Sequence, residues 1–235
     1  MQVSTRNSAF RRGLLDGLPF VLMAGPFALL FGVVAQEAGL HLSQIIAFSL
    51  LVIAGAAQFA ALQLMIDNAA IWLVLLGALA VNLRMAMYSA ALVPYLGAAP
   101  LWKRAVVAYL NFDQTYVMSV GKFERTPDMS LDARIGYFLG VAMPLTLAWV
   151  LATIVGAFIG QQLPPHGWAD IIVPVMFLAM AAPLIITRAH VAAACVAAGM
   201  ALALAWLPAG FGLLIAAALG MATGAYLETR AGRPA

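Results

Sequence analysis

Arg84 sits near the middle of an apolar run from residue 69 to 96 (AAIWLVLLGALAVNLRMAMYSAALVPYL), which is long enough to cross a bilayer. A full positive charge in hydrocarbon costs at least about 2.5 kcal/mol, so it faces a bundle interior or a wet cavity. Asn82, two residues earlier, adds a second polar head at the same depth. An intramembrane charge of this kind marks a pathway or a binding site by default, which is a transporter feature.

Composition sets the class. Of the 235 residues, 65% are hydrophobic and 9% charged, with a mean hydropathy of +0.99. Folded water-soluble domains carry roughly a quarter charged residues, so this chain cannot hide its apolar surface in water. No Asp, Glu, Lys or Arg occurs between Glu37 and Asp67, between Arg134 and Asp170, or between Arg188 and Glu228. The expectation is an all-α polytopic integral membrane protein. The net charge of +3 is no nucleic-acid signal. Arg6, Arg11 and Arg12 precede the first span, Lys122, Arg125 and Arg134 lie between spans, and Arg230 and Arg233 follow the last. Positive residues flanking spans mark the cytoplasmic side. The first apolar run, 17–36, exceeds a signal-peptide core and reads as a retained helix. A single cysteine, Cys195, excludes an internal disulfide and reads as a small core residue.

Candidate helices fall at 14–35, 42–65, 69–96, 103–120, 135–160, 171–186, 191–207 and 211–227. The links 37–41, 161–168 and at Pro208 carry no Lys or Arg, so eight spans with both termini inside satisfy the positive-inside rule. The whole chain then forms one transmembrane domain, with a cytoplasmic segment at 1–13 and a short tail at 228–235. The exception is Lys103 and Arg104, which this topology puts outside. They open the weakest helix, 103–120, where Tyr109, Asn111, Asp113, Gln114, Thr115 and Tyr116 are too polar to face lipid. That segment reads as a central cavity-lining helix or a re-entrant one buried in protein. If it does not cross, the count is seven and the C-terminus lies outside; Arg230 and Arg233 favour eight. A faint internal repeat pairs Pro26-Phe-Ala-Leu-Leu-Phe31 with Pro144-Leu-Thr-Leu-Ala-Trp149, and Pro-broken helices in matching positions point to a transport site.

Four polar clusters lie at membrane depth. Gln58, within Ala54-Gly-Ala-Ala-Gln-Phe59, offers two donors and an acceptor where small residues admit another backbone; a helix–helix hydrogen bond is the plainer reading. Asn82 with Arg84 is the second. The third is Asn111-Phe-Asp-Gln-Thr-Tyr116, where a buried carboxylate resists ionisation, so that Asp113 can exchange a proton or pair with Arg84. Pro26, Pro144, Pro174 and Pro183 form the fourth, each freeing a carbonyl or kinking its helix. Gly156-Ala-Phe-Ile-Gly160 and Gly220-Met-Ala-Thr-Gly224 have close-packing spacing but weigh little among 20 glycines. His41, His166 and His190 are scattered, so no metal site is expected, and no cofactor. The absence of a P-loop, of a serine–histidine pair at membrane depth and of paired intramembrane aspartates argues against an enzyme.

Gly17-Leu-Pro-Phe20, Gly55-Ala-Ala-Gln-Phe-Ala60, Asn82-Leu-Arg84…Tyr88 and Asp113-Gln-Thr-Tyr116 together resemble the AzlC family over nearly the full chain. That resemblance implies the large subunit of a bacterial branched-chain amino acid exporter in the inner membrane. The implied substrates are leucine, isoleucine, valine and methionine, and the implied partner is a small hydrophobic AzlD-like subunit. The position after Asp113 is often acidic in the family and is Gln114 here, which weakens a two-carboxylate mechanism. An aliphatic amino acid needs a cation for its carboxylate, an acceptor for its ammonium and an apolar pocket. Arg84 suits the first; Asp113, Asn111 or carbonyls freed near Pro26 suit the second. Two other readings remain: a non-transporting assembly subunit of the membrane, and a passive channel for small zwitterions.

Overall fold

Among the described residues, apolar runs interrupted by short links fold as helices. The structure, a computed structural model, describes residues 6–162, 174–175, 178, 185–207 and 211–230. In chain order the helices are α1 (Arg6–Glu37), α2 (Leu42–Leu51), α3 (Gly55–Ile66), α4 (Ile71–Leu96), α5 (Leu101–Tyr109), α6 (Asp113–Arg125), α7 (Leu131–Gly160), α8 (Arg188–Ala203) and α9 (Phe211–Arg230). Among the described residues α1, α4, α7 and α9 are long and apolar enough to cross a membrane. The eight expected spans are therefore not reproduced as eight continuous helices. The segments 42–65 and 103–120 are each broken in two, at 52–54 and 110–112, and α8 stops at Ala203. The expected span at 171–186 with Pro183, the links at 163–168 and 208–210, and the end of the tail beyond Arg230 fall wholly or largely outside the described residues.

The prolines do not make these breaks. α1 runs unbroken through Pro19 and Pro26, and α7 through Pro144. Within a long, well-packed helix the loss of one backbone bond is tolerated because neighbouring turns hold the geometry. The expectation of Pro-broken helices is corrected accordingly: the breaks occur in Val52-Ile-Ala54 and Leu110-Asn-Phe112, which hold no proline.

Two compact units emerge, Met1–Ala60 with Ala78–Pro164, and Ala61–Gly77 with Pro165–Ala235. The first is built on α1 and α7, which run parallel with their backbones in contact. Gly136 faces the Arg6 carbonyl and Gly140 that of Phe10; further along, Gly156 faces the Leu29 carbonyl and Gly160 that of Val33. From the other side Gly13 and Gly17 meet Tyr137 and Val141, and Gly32 meets Thr153 and Ala157. Small residues at four-residue spacing let two helices approach until dispersion and carbonyl contacts hold them, as in membrane helix pairs generally. The Gly156–Gly160 spacing thus has a packing role that its sequence weight understated. In the second unit α8 and α9 pack antiparallel, Gly220 against Ala193 and Ala197, Gly224 against Ala193, with His190 Nε2 3.2 Å from Glu228 Oε1.

A methyl group at Gly156 would overlap the Leu29 carbonyl, whereas one at Gly121 in α6 meets nothing within 4 Å. Gly156→Ala is expected to destabilise by about 1–3 kcal/mol. Gly121→Ala should be neutral or stabilise by up to about 1 kcal/mol. Thermal unfolding of the detergent-solubilised protein, followed by size exclusion, checks both; equal midpoints would remove the backbone-contact account.

Candidate functional site

The first unit brings Arg84 and Asp113 together. Arg84 is in the middle of α4 and Asp113 is the first residue of α6, just past the break at 110–112. Arg84 Nη2 lies 3.1 Å from Asp113 Oδ2, with the side chains 33% and 37% exposed. Of the two roles open to Asp113 in the sequence, proton exchange and pairing with Arg84, the second has its contact present in the structure. Tyr88, one turn along α4 from Arg84, lies against Asp113 and stacks on Tyr116 with ring centroids 4.2 Å apart. Half-buried Gln114 follows Asp113 on α6.

The break at 110–112 is what brings Asp113 here. Leu110, Asn111 and Phe112 are all buried, so their backbone groups need partners inside the protein. Thr115, itself fully buried, supplies them: its hydroxyl accepts from the Phe112 N–H at 2.9 Å and lies 2.8 Å and 3.0 Å from the Phe112 and Leu110 carbonyls. Asn111 is 2% exposed and donates from Nδ2 to Ser89 Oγ at 3.2 Å, tying the break to α4 one residue beyond Tyr88.

Several buried polar atoms keep unused hydrogen-bonding capacity: Asn82 Oδ1, Asn111 Oδ1 and Asp113 Oδ1 as acceptors, Arg84 Nε as donor. Beside the break, α4 and α5 flank an open cavity of about 390 Å³. Leu92, Val93, Leu96 and Val107 give it an aliphatic wall, and Ser89 and Arg104 are its polar lining. That volume is within the range of small-molecule sites.

Gln58 belongs to a different set of bonds. Fully buried, it donates to Ser49 Oγ at 3.3 Å, and Ser49 donates to Thr153 Oγ1 of α7 at 3.3 Å. The bond joins α2 to α3 across their break, so the helix–helix reading of Gln58 describes its geometry. Gly55 next to it meets the rings of Phe27 and Trp149 rather than another backbone. Pro26 is exposed on α1, and Pro174 is helical and exposed. Sequence reasoning missed Ser49, Ser89 and Thr153, since a single hydroxyl in an apolar run has no distinguishing spacing. It named Tyr88 only through the family pattern.

The Arg84–Asp113 pair has a measurable energetic signature. In a double-mutant cycle with Arg84→Met and Asp113→Leu, each single change should lower the unfolding midpoint more than the double, with a coupling of about 1 kcal/mol. Strict additivity of the two single effects in detergent melts would show that the contact contributes nothing to the fold.

Comparison with known proteins fits this membrane architecture. The chain is 26% identical over 163 residues to the inner membrane protein YgaZ of Escherichia coli (strain K12), covering 69% of this chain and 65% of that protein. An uncharacterized membrane protein of Archaeoglobus fulgidus is 29% identical over 167 residues, covering 69% of this chain and 68% of that one. The chain thus spans less than two thirds of the length of the first of these relatives. No solved structure matches it. The family described as AzlC protein matches residues 19–163, which is more than half of the chain. The chain belongs to the AzlC family of membrane proteins.

Proposed function

We propose that this protein is the large subunit of a branched-chain amino acid exporter in a bacterial inner membrane, working with a small hydrophobic AzlD-like subunit. It is not an enzyme on this reading, and it needs no cofactor. The observation that carries the proposal is the Arg84–Asp113 ion pair at 3.1 Å beside a helix break, with Arg84 Nε and Asp113 Oδ1 of the same pair left as an unused donor and an unused acceptor. A zwitterionic amino acid presents an anion and a cation a few ångströms apart, so it can take the place of each partner for the other. Its carboxylate would go to Arg84, and its ammonium to Asp113 with Asn111 and Asn82. The aliphatic cavity beside Ser89 suits a leucine, isoleucine, valine or methionine side chain. Gln114 would tune the polar surroundings, Gln58 would hold the α2–α3 break through Ser49, and Pro26 would have no direct contact with substrate.

Coupling to protons follows from the same pair. Asp113 takes up a proton from the outer side as the substrate's ammonium leaves, and gives it up on the cytoplasmic side when Arg84 returns to it. An opposing opinion, that the pair only assembles a larger complex, predicts loss of folding or association rather than of flux.

Cells expressing the chain with and without the small partner, preloaded with labelled leucine, valine and methionine, test the proposal. Efflux should be faster with both subunits and fall about tenfold or more in Arg84→Ala and in Asp113→Asn at unchanged membrane abundance. Flux in Asp113→Asn equal to that of the parent at every pH would eliminate the proton role. No efflux from well-folded protein under any combination would overturn the exporter reading.

A further inference from the structure

α1 and α7 provide a depth scale for the first unit, because they run parallel and touch along their length. At the end of that scale where both begin, α5 also begins: Lys103 Nζ is 3.0 Å from Asp132 Oδ1. α6 finishes at the same end, with Lys122 Nζ 5.9 Å from the Tyr137 ring and Phe123 6.4 Å from it. α4 arrives there too, since Arg134 Nη1 donates to the Tyr95 carbonyl at 3.3 Å. The turn between α5 and α6 lies far from that end. Asp113 reaches Arg84 in the middle of α4, and the Tyr109 hydroxyl donates to the Leu50 carbonyl at the end of α2. α5 and α6 therefore go in and come back out on one side.

α2 and α3 do the same from the other side. Phe48 of α2 packs on Phe31 of α1, with ring centroids 5.6 Å apart. After the break, Gly55 meets Phe27, one turn closer to the start of α1. Phe59 then sits between Phe27 and Phe31, at 4.9 Å and 5.5 Å, so α3 turns back toward the end it came from. The Gln58–Ser49 bond closes the turn. None of these four helices has more than 13 residues, or about 20 Å, against a hydrocarbon thickness of about 30 Å.

We propose that α2–α3 and α5–α6 are two re-entrant hairpins that enter the bilayer from opposite faces, meet at the Tyr109–Leu50 contact, and together close the path across the membrane. The distribution of charge supports it. Apart from Arg84, the lysines and arginines from Arg6 to Arg134 lie at one end of the unit, Lys103 and Arg104 included. The positive-inside exception disappears once α5–α6 is a hairpin from the cytoplasmic face. The hairpin topology stands apart from any substrate, whereas the role as a barrier rests on the transport reading.

Single cysteines in a Cys195→Ala background, probed with a membrane-impermeant maleimide, test the topology. Ala98→Cys and Asp128→Cys, in the links before α5 and after α6, should label about tenfold more in inside-out vesicles than in intact cells. His41→Cys and Asp67→Cys, before α2 and after α3, should show the reverse. Labelling of Ala98→Cys from outside, or of Asp67→Cys from inside, would turn that hairpin into a span and overturn the proposal. So would failure of Ala98→Cys or Asp67→Cys to label from either face in protein that labels fully once denatured. For the barrier, a short bis-methanethiosulfonate crosslinker, which loses one methanesulfinate at each cysteine, joining Leu50→Cys to Tyr109→Cys should stop leucine efflux that both single variants retain. Continued efflux from crosslinked protein would overturn that role. Absence of efflux in every variant, with the labelling pattern as stated, would remove the exporter reading and leave the hairpins standing.

Discussion

A backbone that leaves the helix inside a bilayer must find new partners for its freed N–H and C=O groups, at a cost of several kcal/mol for each one left bare. Two breaks in this chain meet that constraint differently. At 110–112 one threonine hydroxyl serves both sides of the turn, while the asparagine inside it reaches across to α4. At 52–54 the Tyr109 hydroxyl donates to the Leu50 carbonyl and the Val52 N–H to that of Phe48, while the bonds from Gln58 to Ser49 and from Ser49 to Thr153 tie the flanks together. Both solutions need a wall of protein around them, because water or lipid at the same depth would compete with or abandon those groups.

The wall comes from α1 and α7. Their glycine contacts bring two long helices so close that side chains are excluded from the seam and must point elsewhere. One consequence is a cluster of rings, Phe27, Phe31, Phe48, Phe59 and Trp149, that seats α2 and α3. Another is the packed layer of Phe138, Val141, Ala142 and Leu145 within the core that also holds Phe123 of α6. Close helix approach, ring packing and the two breaks are consequently one structure: widening the seam by a methyl group would loosen the surface on which both short helix pairs rest.

Arg84 and Asp113 were legible because charge within hydrocarbon is rare enough to carry information alone, and their pairing was one of two natural consequences. The long helices were legible for the same reason that their links were, through charge-free runs bounded by polar residues. The breaks were not. Leu110-Asn-Phe112 and Val52-Ile-Ala54 hold neither proline nor glycine, and a run of apolar residues reads the same whether its helix is continuous or interrupted. Proline misled in the opposite direction, since Pro26 and Pro144 lie inside unbroken helices. The seam was hidden by abundance: Gly13 and Gly17, Gly136 and Gly140, and Gly156 and Gly160 share a spacing that chance also produces in a glycine-rich chain. Only their mutual facing distinguishes them, and that is a property of the packed pair.

The charge arithmetic of the pair limits what a transport cycle built on it can do. Arg84 and Asp113 together are neutral when both are ionised, and an amino acid zwitterion is neutral as well. Replacing the internal pair by two contacts to substrate therefore moves no net charge into low dielectric, which avoids the Born cost of an unpaired ion. The step becomes unbalanced only when one partner is left alone, as happens whenever substrate leaves before the pair re-forms. A proton on Asp113 at that moment neutralises the carboxylate but leaves Arg84 charged, so the tendency is to re-form the pair and expel the proton. On the proposed function, residues that hold a neutral pair closed also supply the reason for a proton taken up by Asp113 to be released again in each cycle, without a second carboxylate at Gln114.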